Sequence, residues 1–243
     1  ARVSNVDLAA ETLDGTILLP GETFSYNDAL GERTTERGYQ AAPAYSNGES
    51  VQEVGGGICQ VSSTLYKATL LSDLEIVEHH NHSYVSAYIG IGMDATVSWG
   101  GPDYQFKNNT DYPIKIAASY SGGQVTCTIY GAKLDDTYVE MTAETLQVNS
   151  CGTVYQDDPD MDAGTSTVVS SGHDGYVVQT YRNIYNKKGK KISTKKEAYC
   201  VYRKKDRVVR VGTREAAPEE STAAADGTAG SDTAAGGTEE VSE

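Results

Sequence analysis

The sequence predicts an α+β N-terminal domain, a helix plus an antiparallel sheet, followed by a small, extended all-β domain and a disordered acidic tail. Apolar residues recur at helical spacing near the N-terminus, and β-forming runs separated by glycine turns follow them. The C-terminal stretch has Val241 as its only large apolar residue, so it cannot offset the entropy of ordering. These features place the first domain at 1–138, the second at 139–213 and the tail at 214–243.

In the first domain, helical spacing predicts a helix over 5–14 that stops at Gly15, and a second helix over 61–74. A short strand at 17–19 ends at the turn pair Pro20-Gly21. Further strands are predicted at 84–89, 95–99, 114–120 and 125–130, with Gly122-Gly123 as the hairpin turn between the last two.

The second domain is predicted to consist of strands, with a turn at 186–189. The predicted strands are 165–170, 175–185, 191–198 and 207–212. Cys151 and Cys200 lie near its two ends, and their spacing leaves open whether they form a disulfide or stay free.

The net charge of −14 is divided unevenly among the three segments. Residues 1–138 carry −10, residues 139–213 carry +3 and residues 214–243 carry −7. The overall acidity opposes nucleic-acid binding, because no basic field is present to replace phosphate counterions. The basic second domain, however, is compatible with a polyanionic partner.

No apolar run approaches the roughly 20 residues of a membrane-spanning helix. The first residues do not form a signal peptide, so we expect any leader or membrane anchor to lie upstream of Ala1.

The segment Gly-Gly-Gly-Ile-Cys-Gln at 55–60 carries the clearest chemical signal. Gly55, Gly56 and Gly57 permit a tight turn and the close approach of a substrate strand. Cys59 then opens the predicted helix, where unpaired N–H groups and the helix dipole favour thiolate over thiol. Gln60 offers an amide donor near a developing oxyanion.

A candidate base and its orienting acid follow downstream. His82 opens the predicted strand at 84–89 and Asp94 begins the next, so His82 would take the thiol proton and Asp94 would orient the imidazole. Transglutaminase-like and papain-like thiol enzymes have the same chain order, which is an analogy of order alone. Ser83 and Trp99 are added as candidate substrate-binding residues.

Other interpretations of these residues stay open. Cys59 is alternatively an inert packed thiol, a partner of Cys127 in a disulfide, or an exposed sensor of oxidants. The neighbouring His79, His80 and His82 suggest a metal site, but no full ligand set is evident and no CxxC pair occurs, so we expect neither a metal nor a cofactor. His173 is interpreted as a turn residue, and Trp99 as a core residue in preference to a cleft wall.

Residues from about 5 to 132 resemble the VanW family, which is named from glycopeptide-resistance gene clusters. The matching stretches are 19–27, 37–39, 55–66, 74–78, 82–83 and 94–97, with one departure at His79, where the family pattern has Arg. Residues from about 139 to 213 resemble the "G five" domain, a β module of Gram-positive surface proteins. That second resemblance rests on 172–175, Tyr181, Arg182, Tyr185, Gly189 and 208–213.

These resemblances imply an extracytoplasmic protein of the cell wall or of the membrane-anchored outer surface of a Gram-positive bacterium. The leading hypothesis is a thiol site for peptidoglycan peptides, performing acyl transfer or amide hydrolysis with Cys59, His82, Asp94 and Gln60. The alternative is a non-enzymatic protein that binds or organises peptidoglycan or another wall polymer. Neither hypothesis involves nucleic acid, and membrane attachment would come only through an upstream anchor.

Overall fold

The computed structural model describes residues 1–46 and 49–215, and this part of the chain has a mixed N-terminal half and a β-stranded C-terminal half. The described N-terminal half contains α1 (Arg2–Leu13), β1 (Ile17–Leu18), β2 (Thr23–Ser25), α2 (Tyr26–Leu30), a 3-10 helix (Thr35–Arg37), β3 (Ala41–Ser46), β4 (Glu49–Val54), α3 (Cys59–Leu71), β5 (Glu75–Glu78), β6 (Gln105–Lys107), β7 (Ile114–Ser121) and β8 (Gln124–Tyr130). The predicted α+β class is confirmed.

The core of this half lies between the two long helices and the strands. One face of α1 buries Val6, Ala9, Ala10 and Leu13, and α3 buries Val61, Leu65, Tyr66 and Leu70. The helical spacing of these residues is the feature that made both helices predictable from sequence, although each begins earlier than predicted. α3 packs against β8 and therefore lies beside the sheet that contains β8.

The strands form three small antiparallel groups. β1, β7 and β8 form one sheet in the order β1-β7-β8, and the predicted Gly122-Gly123 hairpin joins its last two strands. β2, β6 and β5 form a second sheet in the order β2-β6-β5, and β3 and β4 form a separate hairpin. β2 to β6 were not predicted, apart from the general expectation of an antiparallel sheet, because most are short and interrupted by polar residues.

The predicted strands at 84–89 and 95–99 are wrong, because this region is an irregular loop between β5 and β6. Its backbone groups bond to side chains and to scattered backbone atoms instead of a β ladder. The Ala95 N–H donates to Ser63 Oγ at 2.9 Å, and the Thr96 N–H donates to the His80 carbonyl at 2.8 Å. These bonds satisfy the peptide groups that a neighbouring strand would otherwise pair.

The C-terminal half is all-β, as predicted. It contains β9 (Tyr138–Asn149), β10 (Thr153–Asp162), β11 (Ser166–Ser170), β12 (Gly175–Tyr185), β13 (Lys191–Tyr202) and β14 (Arg207–Arg214). These strands form two sheets in the orders β13-β12-β9 and β10-β14-β11, with β10 parallel to β14. β10 was not predicted because it contains four Asp and a Pro, residues that strands usually disfavour. β9 was not predicted either, although it contains Tyr, Val and Thr.

The predicted acidic tail lies outside the described residues except for Arg214, which ends β14, and Glu215. Within the described residues, no helix has the length and apolar character needed to cross a membrane.

The two halves are joined by a buried cation. Arg182 of β12 is 2% exposed and forms a pair of hydrogen bonds with Glu197 of β13, each 3.0 Å long. Its Nη1 also donates to Asp73 Oδ1 at 2.8 Å and to the Leu74 carbonyl at 2.9 Å, across the boundary between the halves. This contact fixes the β12–β13 pair against the end of α3.

Candidate functional site

The candidate nucleophile lies where the sequence placed it, at the first residue of α3. Cys59 follows the Gly55–Ile58 turn and is half-buried. Its Sγ lies 3.6 Å from the Val97 carbonyl oxygen and 3.9 Å from Thr96 Oγ1, both on the β5–β6 loop. The β5–β6 loop therefore contacts the thiol at the start of α3.

His82 and Asp94 are paired within the same loop. Asp94 Oδ2 accepts a hydrogen bond from the His82 backbone N–H at 2.7 Å and lies 2.7 Å from His82 Nδ1. Asp94 is 1% exposed, so its carboxylate is held away from water. Because Asp94 occupies Nδ1, the second ring nitrogen, Nε2, stays available, and the Tyr88 hydroxyl lies 3.5 Å from it.

The thiol and the imidazole change one another's ionisation. Burial alone raises the pKa of the Cys59 thiol. The hydrogen bond to His82, the charge of His82 and the hydrogen bonds to Val97 and Thr96 together outweigh burial and lower that pKa. Burial also lowers the pKa of His82, yet its bonds to Asp94 and Cys59 raise it to about 9. The arrangement favours the charged forms of the thiol and of the imidazole over their neutral forms.

Asp94 is stabilised as a carboxylate. Burial raises its pKa, but hydrogen bonds from His82 and from the hydroxyl of Tyr202 outweigh burial and hold the pKa below its ordinary value. Tyr202 belongs to β13 and is separated from Asp94 by 108 positions in the chain. No local pattern in the sequence signals this contact, and sequence analysis missed it.

The three glycines before Cys59 are required by packing within the protein. Gly55 and Gly57 have φ values of +85° and +106°, and both Gly55 and Gly56 are buried. A Cβ on Gly56 would lie 2.4 Å from the Ala42 carbonyl oxygen, so the turn packs directly on the β3–β4 hairpin. Their role in admitting a substrate strand stays a prediction.

Gln60 and Ser83 have other partners as well. The side-chain oxygen of Gln60 accepts a hydrogen bond from Arg2 Nη2 at 3.2 Å, which leaves its amide N–H₂ as the group for an oxyanion. The Ser83 carbonyl accepts from the Arg203 backbone N–H at 2.7 Å, which ties the loop to the second half. Their predicted roles at the site stay predictions.

Trp99 is 51% exposed, so its interpretation as a core residue is wrong. The turn that carries it is fixed by a hydrogen bond from Ser98 N–H to the Pro102 carbonyl at 2.9 Å, which holds the indole outside the core. Because Trp99 follows Val97 by two residues, the turn places an exposed aromatic ring on the loop that contacts the thiol.

An open groove of about 650 Å³ begins beside the site. One wall is the exposed side of α3, with Gln60, Thr64 and Lys67, and the other includes Tyr88 and Ile89. The same groove thus borders Gln60, the neighbour of the thiol, and Tyr88, the neighbour of the imidazole.

The other histidines are used differently. His79 Nε2 lies 2.7 Å from the Asp94 carbonyl oxygen and its ring stacks on Tyr66 with 4.1 Å between ring centroids. His80 pairs with Glu78 at 3.0 Å. Within residues 1–46 and 49–215, no group of three His, Cys, Asp or Glu side chains is arranged to hold a metal ion. His173 forms an isolated β-bridge with Lys205 and an edge contact with the Tyr84 ring.

All four cysteines lie within the described residues and are free thiols. Neither of the disulfides considered from sequence, Cys59 with Cys127 or Cys151 with Cys200, is therefore formed. Burial raises the pKa of Cys127 and of Cys200 to about 12 each, so Cys59 differs from both in having a lowered pKa.

The chain is similar to two curated proteins. It is 45% identical over 132 residues to the uncharacterized protein YoaR of Bacillus subtilis (strain 168), a match that covers 54% of this chain and 44% of YoaR. It is 28% identical over 162 residues to the vancomycin B-type resistance protein VanW of Enterococcus faecalis (strain ATCC 700802 / V583), covering 64% of this chain and 58% of that protein. The chain thus spans about half the length of the curated relatives it matches.

Two solved structures align with the second half. The IgA1 protease G5 domain is 21% identical, with a TM-score of 0.23, and covers 34% of this chain and 99% of that domain. The HP0197 G5 domain is 20% identical, with a TM-score of 0.20, covering 31% of this chain and 95% of that domain.

Family models match both halves of the chain. The G5 domain model matches residues 140–214, and the model described as VanW like protein matches residues 1–130, which is more than half of the chain. Both families are associated with the cell envelope. The chain therefore belongs to the VanW family, with a VanW-like domain followed by a G5 domain.

Proposed function

We propose that this cell-wall-associated protein acts on peptidoglycan peptides through a thiol site in the VanW-like domain. The observation that carries the proposal is the Asp94–His82 pair beside a Cys59 thiol whose pKa is lowered. Nucleophile, base and orienting acid also follow one another along the chain in the order found in papain-like thiol enzymes, which is an analogy of order. The glycopeptide-resistance relative supports a peptidoglycan substrate, and the envelope association of both families supports the location.

The reaction would run in two balanced steps. The Cys59 thiolate attacks the carbonyl carbon of a peptide amide, and His82 passes the thiol proton to the leaving amine as the C–N bond breaks, which leaves a thioester. An amine or water then attacks the thioester, His82 takes its proton, and Cys59 leaves as thiolate. With an amine the result is acyl transfer, and with water it is amide hydrolysis. Asp94 holds the imidazole in the correct orientation throughout.

The groove beside α3 is the proposed peptide-binding surface. Lys67 supplies a cation for a carboxylate of the stem peptide, Gln60 an amide donor, and Tyr88 a ring next to the imidazole. Trp99, exposed on the far side of the loop, suits stacking against a sugar ring of the glycan.

The test is turnover of purified peptidoglycan peptides by the whole chain, followed by mass spectrometry of the products. Cys59→Ala is expected to abolish both transfer and hydrolysis, because no thioester can form. Cys151→Ala is the matched control, since Cys151 is a free thiol in the other domain and should leave turnover unchanged. Full turnover by Cys59→Ala would eliminate the enzymatic proposal.

A non-enzymatic wall-binding function is supported by a different feature, the cationic strand pair of the G5 domain. Residues 139–213 carry a net charge of +3, and exposed lysines lie within the 186–189 turn and directly after it. Sedimentation of the chain with purified cell walls measures this function directly. Binding that is unaffected in Cys59→Ala and weakened by salt, together with no peptide turnover by wild type, would favour binding over catalysis.

A further inference from the structure

The loop that carries His82 and Asp94 is hydrogen-bonded to the second domain. Asn81 Nδ2 donates to the Val201 carbonyl at 3.0 Å, and the Arg203 backbone N–H donates to the Ser83 carbonyl at 2.7 Å. These two bonds lie on either side of Tyr202, at the end of β13. The loop has no strand partner of its own, and these two bonds attach residues 81–83 to the end of β13.

Tyr202 lies between these two hydrogen bonds, and its side chain extends to the carboxylate of Asp94. It is 1% exposed, its hydroxyl donates to Asp94 Oδ1, and the same hydroxyl accepts from the Gly92 N–H at 2.9 Å. Burial and the charge of Asp94 raise the pKa of Tyr202, so the phenol stays protonated and remains a donor. Its ring packs with Val178 and Cys200 in the small core of the second domain.

The two oxygens of Asp94 are therefore held from two different domains. Oδ2 accepts from the His82 backbone and ring, whereas Oδ1 accepts from Tyr202. A carboxylate held only on Oδ2 could rotate, and the imidazole that it orients would rotate with it. The Tyr202 bond removes this freedom.

We propose that Tyr202 is a positioning residue for the thiol site, which fixes Asp94 and through it His82, so that the site is complete only when the G5 domain is docked on the VanW-like domain. This inference rests on the proposed function. It gives the second domain a part in the chemistry of the first, in addition to any binding of wall polymer.

Alkylation of Cys59 by iodoacetamide in the whole chain tests this proposal, with the Cys59 peptide quantified by mass spectrometry from about pH 5 to pH 10. Tyr202→Phe keeps the ring and removes one hydrogen bond to a buried charge. We expect it to slow alkylation at pH 7 about tenfold and to shift the midpoint of the profile upward. The other titratable groups that face the cluster, present in every variant, are Tyr26, Tyr88, His79 and Cys200.

Tyr199→Phe is the matched control, because Tyr199 lies on the same strand but is 62% exposed. It should leave the profile unchanged. A Tyr202→Phe profile that superimposes on wild type would overturn the proposal while leaving the thiol site intact. If His82→Ala also fails to alter the wild-type profile, the proposed function itself has failed.

A second variant keeps the test decisive if Tyr202→Phe does not fold. Asn81→Ala removes the exposed bond to Val201, together with the Asn81 side-chain bond to the His82 carbonyl at 2.7 Å, without opening the core of either domain. We expect the midpoint of its alkylation profile to shift upward, as in Tyr202→Phe but by a smaller amount. An unshifted profile in Asn81→Ala would then overturn the proposal.

Discussion

At the scale of single residues, the site depends on opposing effects of burial and charge. Burial disfavours the charged form of Cys59, His82 and Asp94 alike. Each group nevertheless has its charged form favoured, because each has a partner of opposite charge within the same small volume. The His82 imidazolium stabilises the charged forms of Cys59 and of Asp94, and each of them in turn stabilises the imidazolium, so the loss of His82 affects both.

His82→Ala should therefore raise the pKa of the Cys59 thiol, because burial is then opposed only by Val97 and Thr96. In wild type the thiolate fraction persists as pH falls toward neutrality, whereas in the variant it is lost at higher pH. We expect alkylation of Cys59 at pH 7 to fall at least about tenfold. The measurement is the rate of iodoacetamide modification as a function of pH.

His80→Ala is the control for this prediction, since His80 is bonded to Glu78 at the exposed end of β5. It should give the wild-type profile. Equal rates in wild type and His82→Ala at every pH would show that the imidazole does not act on the thiol.

At the scale of elements, the position of the thiol is set by the turn that precedes α3. Two of its glycines adopt positive φ, and the third lies against the backbone of β3. This geometry sets where α3 begins, and so places Cys59 at the edge of the core, in contact with the loop. The α3 start is consequently a point where stability and site geometry depend on the same residues.

Gly56→Ala should destabilise the protein, because the added methyl group meets the Ala42 carbonyl oxygen at 2.4 Å and a backbone atom cannot move aside cheaply. We expect the free energy of unfolding to fall by about 2 kcal/mol. Chemical denaturation monitored by circular dichroism measures it.

Gly90→Ala provides the comparison, since a Cβ at Gly90 meets nothing within 4 Å and its φ is not in the left-handed region. Its effect on unfolding should stay within about 0.5 kcal/mol. Equal stability of the two variants would contradict the packing of the turn on the β3–β4 hairpin.

At the scale of the whole molecule, each domain contains a buried charged group that forms some of its hydrogen bonds with the other domain. Arg182 is a buried cation whose carboxylate partners come from both domains, Glu197 from its own and Asp73 from the other. Tyr202 contributes a second buried bond across the same boundary. Docking of the domains therefore satisfies buried polar groups of both.

Arg182→Met should weaken the whole structure, because Glu197 is 6% exposed at its side chain and would keep a buried charge without its partner. We expect a loss of about 3 kcal/mol in the free energy of unfolding. Denaturant titration followed by tryptophan fluorescence and by circular dichroism reports the two domains together.

Arg210→Met is the control, since Arg210 pairs with Asp158 at 3.7 Å and its side chain is 51% exposed. Such a surface pair contributes less than about 0.5 kcal/mol. If both arginine variants unfold alike, Arg182 does not hold the domains together.

The sequence by itself determined the class of fold and the two long helices, and it predicted the residues of the candidate site. Apolar spacing determines α1 and α3 locally, and the glycines before Cys59 mark a turn because other residues rarely adopt positive φ. Cys59, His82 and Asp94 were identifiable as a set from residue types and order. The loop that carries the last two was mistaken for strands, since β-forming residues there bond to side chains instead of to a ladder.

Only the tertiary structure decided which groups meet. It joined His82 to Asp94 within one loop, placed Trp99 outside the core, and brought Tyr202 to Asp94 across 108 positions of the chain. The physical reason is that periodicity and turn chemistry act over a few residues. A hydrogen bond between domains depends instead on how both domains pack, and no short stretch of sequence encodes that packing.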